Sequence, residues 1–187
     1  ITNVNFDSVR IAAIIKDVHR VTERVKLQFS DAYKKKNGKG FTGSLPEACS
    51  FAPADSTEGL LKQGMTAGIH ADTAVNEDIR SLREILLYGL KGMAAYADHA
   101  QVLGKADAQV NTFFFKGLAA RTESTLNADA LVGLIMEFGL VNLKCIELLA
   151  SAHTGHLGHP VPTQVALGVK KGPAVIVSGH DLEDLKQ

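Results

Sequence analysis

The sequence predicts a mainly α protein: an antiparallel helical bundle of the three-helix type, followed by the first strand or strands of an α/β domain. Three observations predict it. Apolar residues recur about every 3.6 positions through most of the chain before Pro160. The periodic stretches are long and are joined by short links rich in Gly, Asn and Asp, which favours antiparallel neighbours. After Pro160 the period changes, and Ala174, Val175, Ile176 and Val177 form a continuous apolar run of the kind a buried parallel strand needs. The expected organisation is the final long helix of a first bundle over 1–36, a connecting loop with a short helix over 37–75, a second helical bundle over 76–159, and the start of an α/β domain over 160–187.

The first helix is expected to begin after Asp7, whose side chain suits an N-cap, with Phe6 as the apolar residue before it. Val9, Ala12, Ala13, Ile15, Val18, Val21, Val25 and Phe29 give it an apolar stripe. The basic run Lys34, Lys35, Lys36 favours a helix C-terminus, and Asn37 with Gly38 supplies the stop. Residues 37–56 read as a loop containing GKGFTG, whose Gly38, Gly40 and Gly43 have dinucleotide-fingerprint spacing. That fingerprint requires a strand before it and a helix after it. A basic helix end and the segment SLPEA stand there instead, so a flexible turn is the expectation.

A short helix is predicted over Ser56–Ala67, stopped by Gly68. Asn76 caps the next, with Glu77 and Asp78 in its first turn and a stripe of Ile79, Leu82, Leu86, Leu90, Met93 and Ala97. Gly89, Gly92, Ala94 and Ala95 permit close helix approach, and Gly104 ends the element. A fourth helix is expected from about Asp107 to Arg121, carrying Val110, Phe113, Phe114 and Leu118. A fifth runs from about Asn127 to Ala152, with Leu131, Ile135, Phe138, Val141, Cys145, Leu148 and Leu149 facing inward. PTQVALGV after Pro160 is β-prone. GPAVIVSGHDLEDL then reads as strand, tight turn and helix, with Asp181 as the cap and Asp184 in the first turn. Ligands of open α/β sheets sit at such strand ends.

Composition excludes several functions. Twenty basic residues balance twenty acidic ones, so no field draws in nucleic acid or anionic lipid. With 6% aromatic residues and no Trp, no base-stacking platform is expected. No apolar run reaches the ~20 residues of a membrane span, and Ile1–Phe6 has neither the basic start nor the apolar run of a signal peptide. The expectation is a soluble, cytoplasmic protein. Its start at Ile1 and its close on DLEDLKQ, the first turns of an unfinished helix, lead us to expect an internal piece of a longer chain. Cys49 and Cys145 lie far apart, which fits a reducing compartment and leaves no cluster or zinc site built from cysteines alone.

His180 is the strongest candidate for chemistry. It follows Ser178 and Gly179 at the carboxyl end of the predicted strand, and neutral imidazole ligates transition metals. A histidine that bonds only loop backbone is the rival reading. His153, His156 and His159 recur every three residues, but Gly155 and Gly158 argue against a continuing helix and no carboxylate or cysteine completes a site. A polar helix end is expected there. Asp181 and Asp184 most simply serve a helix dipole. Cys145 is expected to be a core thiol, and Cys49 a more accessible one without an activating neighbour. No nucleophile elbow, Walker A loop or H-E-x-x-H motif is present.

Three segments resemble the hybrid-cluster proteins, also called prismane proteins or hydroxylamine reductases: TNVNFD at Thr2–Asp7, DIRSLREILLYGLKGMAAYADHA at Asp78–Ala100, and GPAVIVSGHDLEDL at Gly172–Leu185. The resemblance covers nearly the whole chain, as an internal slice of the family protein. It implies a helical domain of two related three-helix bundles followed by two α/β domains. It also implies two cofactors: a hybrid [4Fe-2O-2S] iron–sulfur–oxygen cluster between the domains, and a [4Fe-4S] cluster, or [2Fe-2S] in some members, held by cysteines outside this segment. The family histidine lies in SGHDL and falls on His180 as a hybrid-cluster ligand. The other ligands, glutamates and cysteines, would fall beyond Gln187, and neither Cys49 nor Cys145 matches one. No ligand of the family falls on His153, His156 or His159.

The activity implied is reduction of hydroxylamine to ammonia and water, or of nitric oxide to nitrous oxide, by the full-length parent, the segment alone being inert. The partners implied are a small inorganic nitrogen substrate, a redox electron donor and the rest of its own chain. Three rivals remain at the level of sequence. One is a non-catalytic helical assembly or docking domain. Another is an enzyme like carbon monoxide dehydrogenase, although LLYGLKGMAAYADHA and VSGHDL sit closer to the hybrid-cluster side. The last is a nucleotide enzyme using GKGFTG, which requires a strand before Gly38.

Overall fold

Each α-helix among the described residues starts at a side chain able to replace its missing intrahelical acceptors. The computed structural model describes residues 7–66 and 75–176. In order, the elements are α1 (Ser8–Asn37), a single 3-10 turn (Glu47–Cys49), α2 (Thr57–Gly64), α3 (Glu77–Val102), α4 (Ala108–Thr122) and α5 (Ala128–Leu157). Asp7 Oδ1 accepts from the amides of Val9 and Arg10, Ser56 Oγ from Gly59, Asn76 Oδ1 from Asp78 and Ile79, Asp107 Oδ1 from Gln109 and Val110, and Asn127 Oδ1 from Ala130. Three of these helices stop at glycines with positive φ: Gly38 at 70°, Gly104 at 79° and Gly158 at 82°. Only glycine adopts that conformation without strain from a Cβ.

Helices α3, α4 and α5 form an up-down-up bundle. The connections, residues 103–107 and 123–127, are too short for anything but antiparallel succession. Pairings along the helices fix the directions: Gly117 of α4 lies under Leu90 of α3, Lys116 meets Glu137 of α5, and Gly89 lies against Phe138. α3 and α5 therefore run parallel, and their interface is the most extensive among the described residues. The core comprises Leu86, Leu90 and Met93 of α3, Val110 and Phe113 of α4, and Leu134, Val141 and Cys145 of α5. Burying each large side chain contributes about 1.5–3 kcal/mol against the cost of ordering the chain.

α1 is a different case. It is 30 residues long and buries none of them. Its chief contact is with α2, where Lys16 Nζ also donates to the Asp55 carbonyl at 3.1 Å. Near its end Phe29, Tyr33 and Phe41 form an aromatic cluster, with centroids 5.2–5.8 Å apart.

Several sequence expectations change. Leu118 is exposed, and Gly117 and Ala120 take the inward positions of α4. Of the small residues on α3, Gly89 does admit a neighbour: a Cβ there would stand 2.7 Å from the Phe138 ring. Gly92 has nothing within 4 Å, and Ala94 and Ala95 are exposed. α2 stops at Gly64, before the expected Ala67, because Met65 and Thr66 turn back and the Thr66 hydroxyl bonds the Gln63 carbonyl. α5 runs five residues past Ala152, through Gly155, and yields only at Gly158. A glycine mid-helix costs about 1 kcal/mol, which the preceding packed turns absorb; a positive φ ends the helix outright.

Among the described residues there is no strand. Pro162–Val169 is irregular and exposed, and so are Ala174, Val175 and Ile176, with Val175 and Ile176 91% exposed. An apolar run cannot become a parallel strand without a neighbouring strand to complete its hydrogen bonds. Phe6, Gly68, Val177, Ser178, Gly179, His180, Asp181, Leu182 and Asp184 lie outside the described residues.

Candidate functional site

GKGFTG loses its nucleotide reading to geometry. Gly38 is the C-cap of α1 and its amide donates to the Lys34 carbonyl at 2.9 Å. A helix C-terminus presents carbonyls, which repel phosphate. No helix begins at Gly43. The loop instead carries Phe41 back onto α1, and a Cβ at Gly43 would stand 2.5 Å from the Phe41 ring.

The histidine triplet is placed by the extended α5. His153 and His156 lie in its last turns, half-buried and exposed respectively, and His159 follows the Gly158 stop, exposed. No group of three His, Cys, Asp or Glu side chains among the described residues could hold a metal ion. Cys145 is fully buried, 3.6 Å from the Met93 carbonyl, and burial pushes its thiol above the ordinary value. It is a core residue, as its place on α5 predicts. Cys49 is half-buried in the 3-10 turn.

The polar cluster that sequence reading missed sits where α3 begins and α4 ends. Arg83 and Glu84 are only 9% and 7% exposed. Arg83 Nη2 donates to the Glu123 carbonyl at 2.7 Å, capping the C-terminus of α4, while its buried Nε has no acceptor among the described residues. Glu84 pairs with Arg121 of α4. Glu123 accepts from the Thr125 hydroxyl and amide, which hold its carboxyl below the ordinary value, with Arg83 adding to the effect. The signal was present: Ile79, Arg83, Leu86, Leu90 and Met93 are spaced 4, 3, 4, 3, so Arg83 lies on the buried stripe. The cluster locks the α4–α5 turn to α3.

Two open depressions of about 300 and 390 Å³ flank the Lys116–Glu137 ion pair on the α4–α5 face. Neither gathers more than that one pair of charges.

None of these described features assembles a reaction centre, and His180 lies outside the described residues. The model of the Prismane/CO dehydrogenase family matches residues 1–187. The chain belongs to the Prismane/CO dehydrogenase family. Its relatives include a hydroxylamine reductase of Halothermothrix orenii, 46% identical over the whole chain and 33% of that protein. A hydroxylamine reductase of Geobacter metallireducens is 44% identical over the whole chain and 34% of its own length, and one of Methanocella arvoryzae 42% over the whole chain and 33%. The chain thus spans about a third of the length of the curated relatives it matches.

The iron–sulfur group that this prismane-family membership implies does not fit the described residues alone. Thiolate ligands would have to come from Cys49 and Cys145, and Cys145 is sealed in the core against a backbone carbonyl. No helix among the described residues is long and apolar enough to cross a membrane.

Proposed function

We propose that the full-length parent of this chain is an iron–sulfur oxidoreductase that reduces hydroxylamine to ammonia and water. The carrying observation is end-to-end similarity, 42–46% identical, to proteins named hydroxylamine reductase, within the Prismane/CO dehydrogenase family. The names of these relatives favour that reaction over carbon monoxide chemistry. The balance is one hydroxylamine, two electrons and two protons to one ammonia and one water. Nitric oxide, the second candidate substrate, takes two molecules with two electrons and two protons to nitrous oxide and water.

In this reading His180 contributes one imidazole ligand to a hybrid iron–sulfur–oxygen cluster, and the remaining ligands come from chain outside this segment. Its place after an apolar run and a Ser-Gly turn supports the role, since strand ends present ligands to a domain crevice. A partner on the second ring nitrogen would set the tautomer that leaves the other free to bind. The cluster supplies electrons and a substrate-binding iron. Residues 160–187 open the α/β domain, and the exposed apolar side chains of Val175 and Ile176 support this, because pairing with later strands would bury them.

The test is iron and sulfide content with EPR spectra on the anaerobically purified parent, beside His180→Ala, and ammonia yield from hydroxylamine with a chemical electron donor. We expect two cluster signals in the parent. The variant should lose or alter the hybrid signal and lose most of the ammonia yield. A correctly folded parent without iron would sink the reductase reading. An unchanged hybrid signal in the variant removes His180 from the ligand set and leaves the activity standing. The same assay with nitric oxide, read as nitrous oxide, ranks the two substrates.

A further inference from the structure

α5 is apolar on two opposite faces. One faces the bundle through Leu134, Val141 and Cys145. The other, at Val132, Met136, Leu140, Leu143 and Ile146, follows steps of 4, 4, 3 and 3, the spacing of a single helical stripe about 20 Å long. All five are exposed, Met136 by 69% and Leu140 by 72%. Between Val132 and Ile146 the sequence has two charges, Glu137 and Lys144, and both turn toward α4, where they pair with Lys116 and Asp107. The outer stripe therefore carries no charge. A helix apolar all round is a buried helix, and an uncharged stripe of this size is not left in water without a partner.

We infer that the downstream part of the same polypeptide, the domain that residues 160–187 open, covers this outer face of α5. The inference rests on that domain reading. Two observations choose this occupant over a second copy or a foreign protein. About two thirds of the length of the relatives lies outside the part that this segment matches, enough chain to cover such a face in cis. The chain also leaves α5 through Gly158 directly into an exposed tail that itself displays Val161, Val165, Leu167 and Val169. Whatever folds onto that tail is tethered within a few residues of the stripe. A short tether holds it at an effective concentration of order millimolar, which a partner in trans must outcompete.

The experiment places a photo-crosslinking amino acid at Met136, and separately at Leu140, in the full-length metal-loaded parent. Products are mapped by mass spectrometry after irradiation. We expect intramolecular crosslinks from both positions to peptides beyond Gln187. Crosslinks joining two chains, crosslinks to sequence before Ile1, or a face that labels only solvent would each overturn the inference. Amide exchange over residues 172–176 separates it from the domain reading. Fast exchange there removes the strand, and with it the α/β opening, whatever the crosslinks show. Slow exchange with no downstream crosslink keeps the strand and overturns only the α5 contact.

Discussion

Two glycines on one helix are expected to respond to the same substitution with opposite signs. Gly92→Ala adds a methyl where nothing lies within 4 Å. It should stabilise α3 by roughly 0.5–1 kcal/mol, by reducing the freedom of the unfolded chain and improving helix propensity. Gly89→Ala puts the same methyl 2.7 Å from the Phe138 ring, in a packed interface. Overpacking of about 1–3 kcal/mol there outweighs the propensity gain. Amide exchange of the core amides of α3 in each variant reads both signs.

Asp107 ties a cap to an ion pair. Its Oδ1 caps α4 and its Oδ2 lies 2.9 Å from Lys144 Nζ. Lys144 first, then the Val110 and Gln109 amides, hold the carboxyl below its ordinary value of 3.8. Its folded pKa being the lower, the stabilisation is complete above that ordinary value. It is lost as pH falls further, through the depressed folded value. Protection of the Gln109 and Val110 amides should drop over that acid range. In Asp107→Asn, which keeps a capping oxygen but no charge, the drop should flatten. Cys145 gives a plainer expectation. Its buried, hard-to-ionise thiol should resist alkylation in the native parent and react only after unfolding, as read by peptide mapping.

At the scale of the element, the end of α5 depends on a strap. Lys105, just after the Gly104 turn, donates to the Ser151 carbonyl at 3.0 Å and to the Ser151 hydroxyl. It pins the α3–α4 turn to the helix one residue before the point where sequence reading expected α5 to stop. Lys105→Ala should cost about 0.5–1 kcal/mol locally. Exchange at residues 153–157 should rise while that at Leu134 and Val141 stays unchanged. Uniform exchange along α5 in the variant would show that the strap contributes nothing to the final turns.

At the scale of the molecule, what was legible depended on how local the cause is. Helix starts could be read because Asp7, Ser56, Asn76, Asp107 and Asn127 act within three residues of themselves. The core thiol at Cys145 was legible because it falls on a period. The spacing of α3 put Arg83 on the buried stripe, but what satisfies Arg83 and Glu84 was not legible, since their partners are about forty residues away in sequence. The extension of α5 to Leu157 was missed for a similar reason: Gly155 signals a stop locally, and the opposing bond from Lys105 is tertiary. The candidate site was read in the sequence only as His180 and its flanking SGHDL motif, which lie outside the described residues. The strand expected at Ala174–Val177 is not formed over the described Ala174, Val175 and Ile176, because a strand needs neighbouring strands to complete its hydrogen bonds.

The order of the helices has one more consequence. α3 joins α4 and α4 joins α5 through connections of five residues, and the α3–α5 pairing closes over one intervening helix, with Cys145 52 residues from Met93. Low contact order of this kind favours rapid assembly, and domains form from the amino end as a protein is made. The bundle has all its parts once Leu157 has emerged from the ribosome, while the following residues are still being synthesised. On the packing inferred above, Met136 and Leu140 stand exposed on a finished surface until the covering chain arrives. In that interval the nascent chain is vulnerable to association with its neighbours, and a chaperone has its clearest reason to bind.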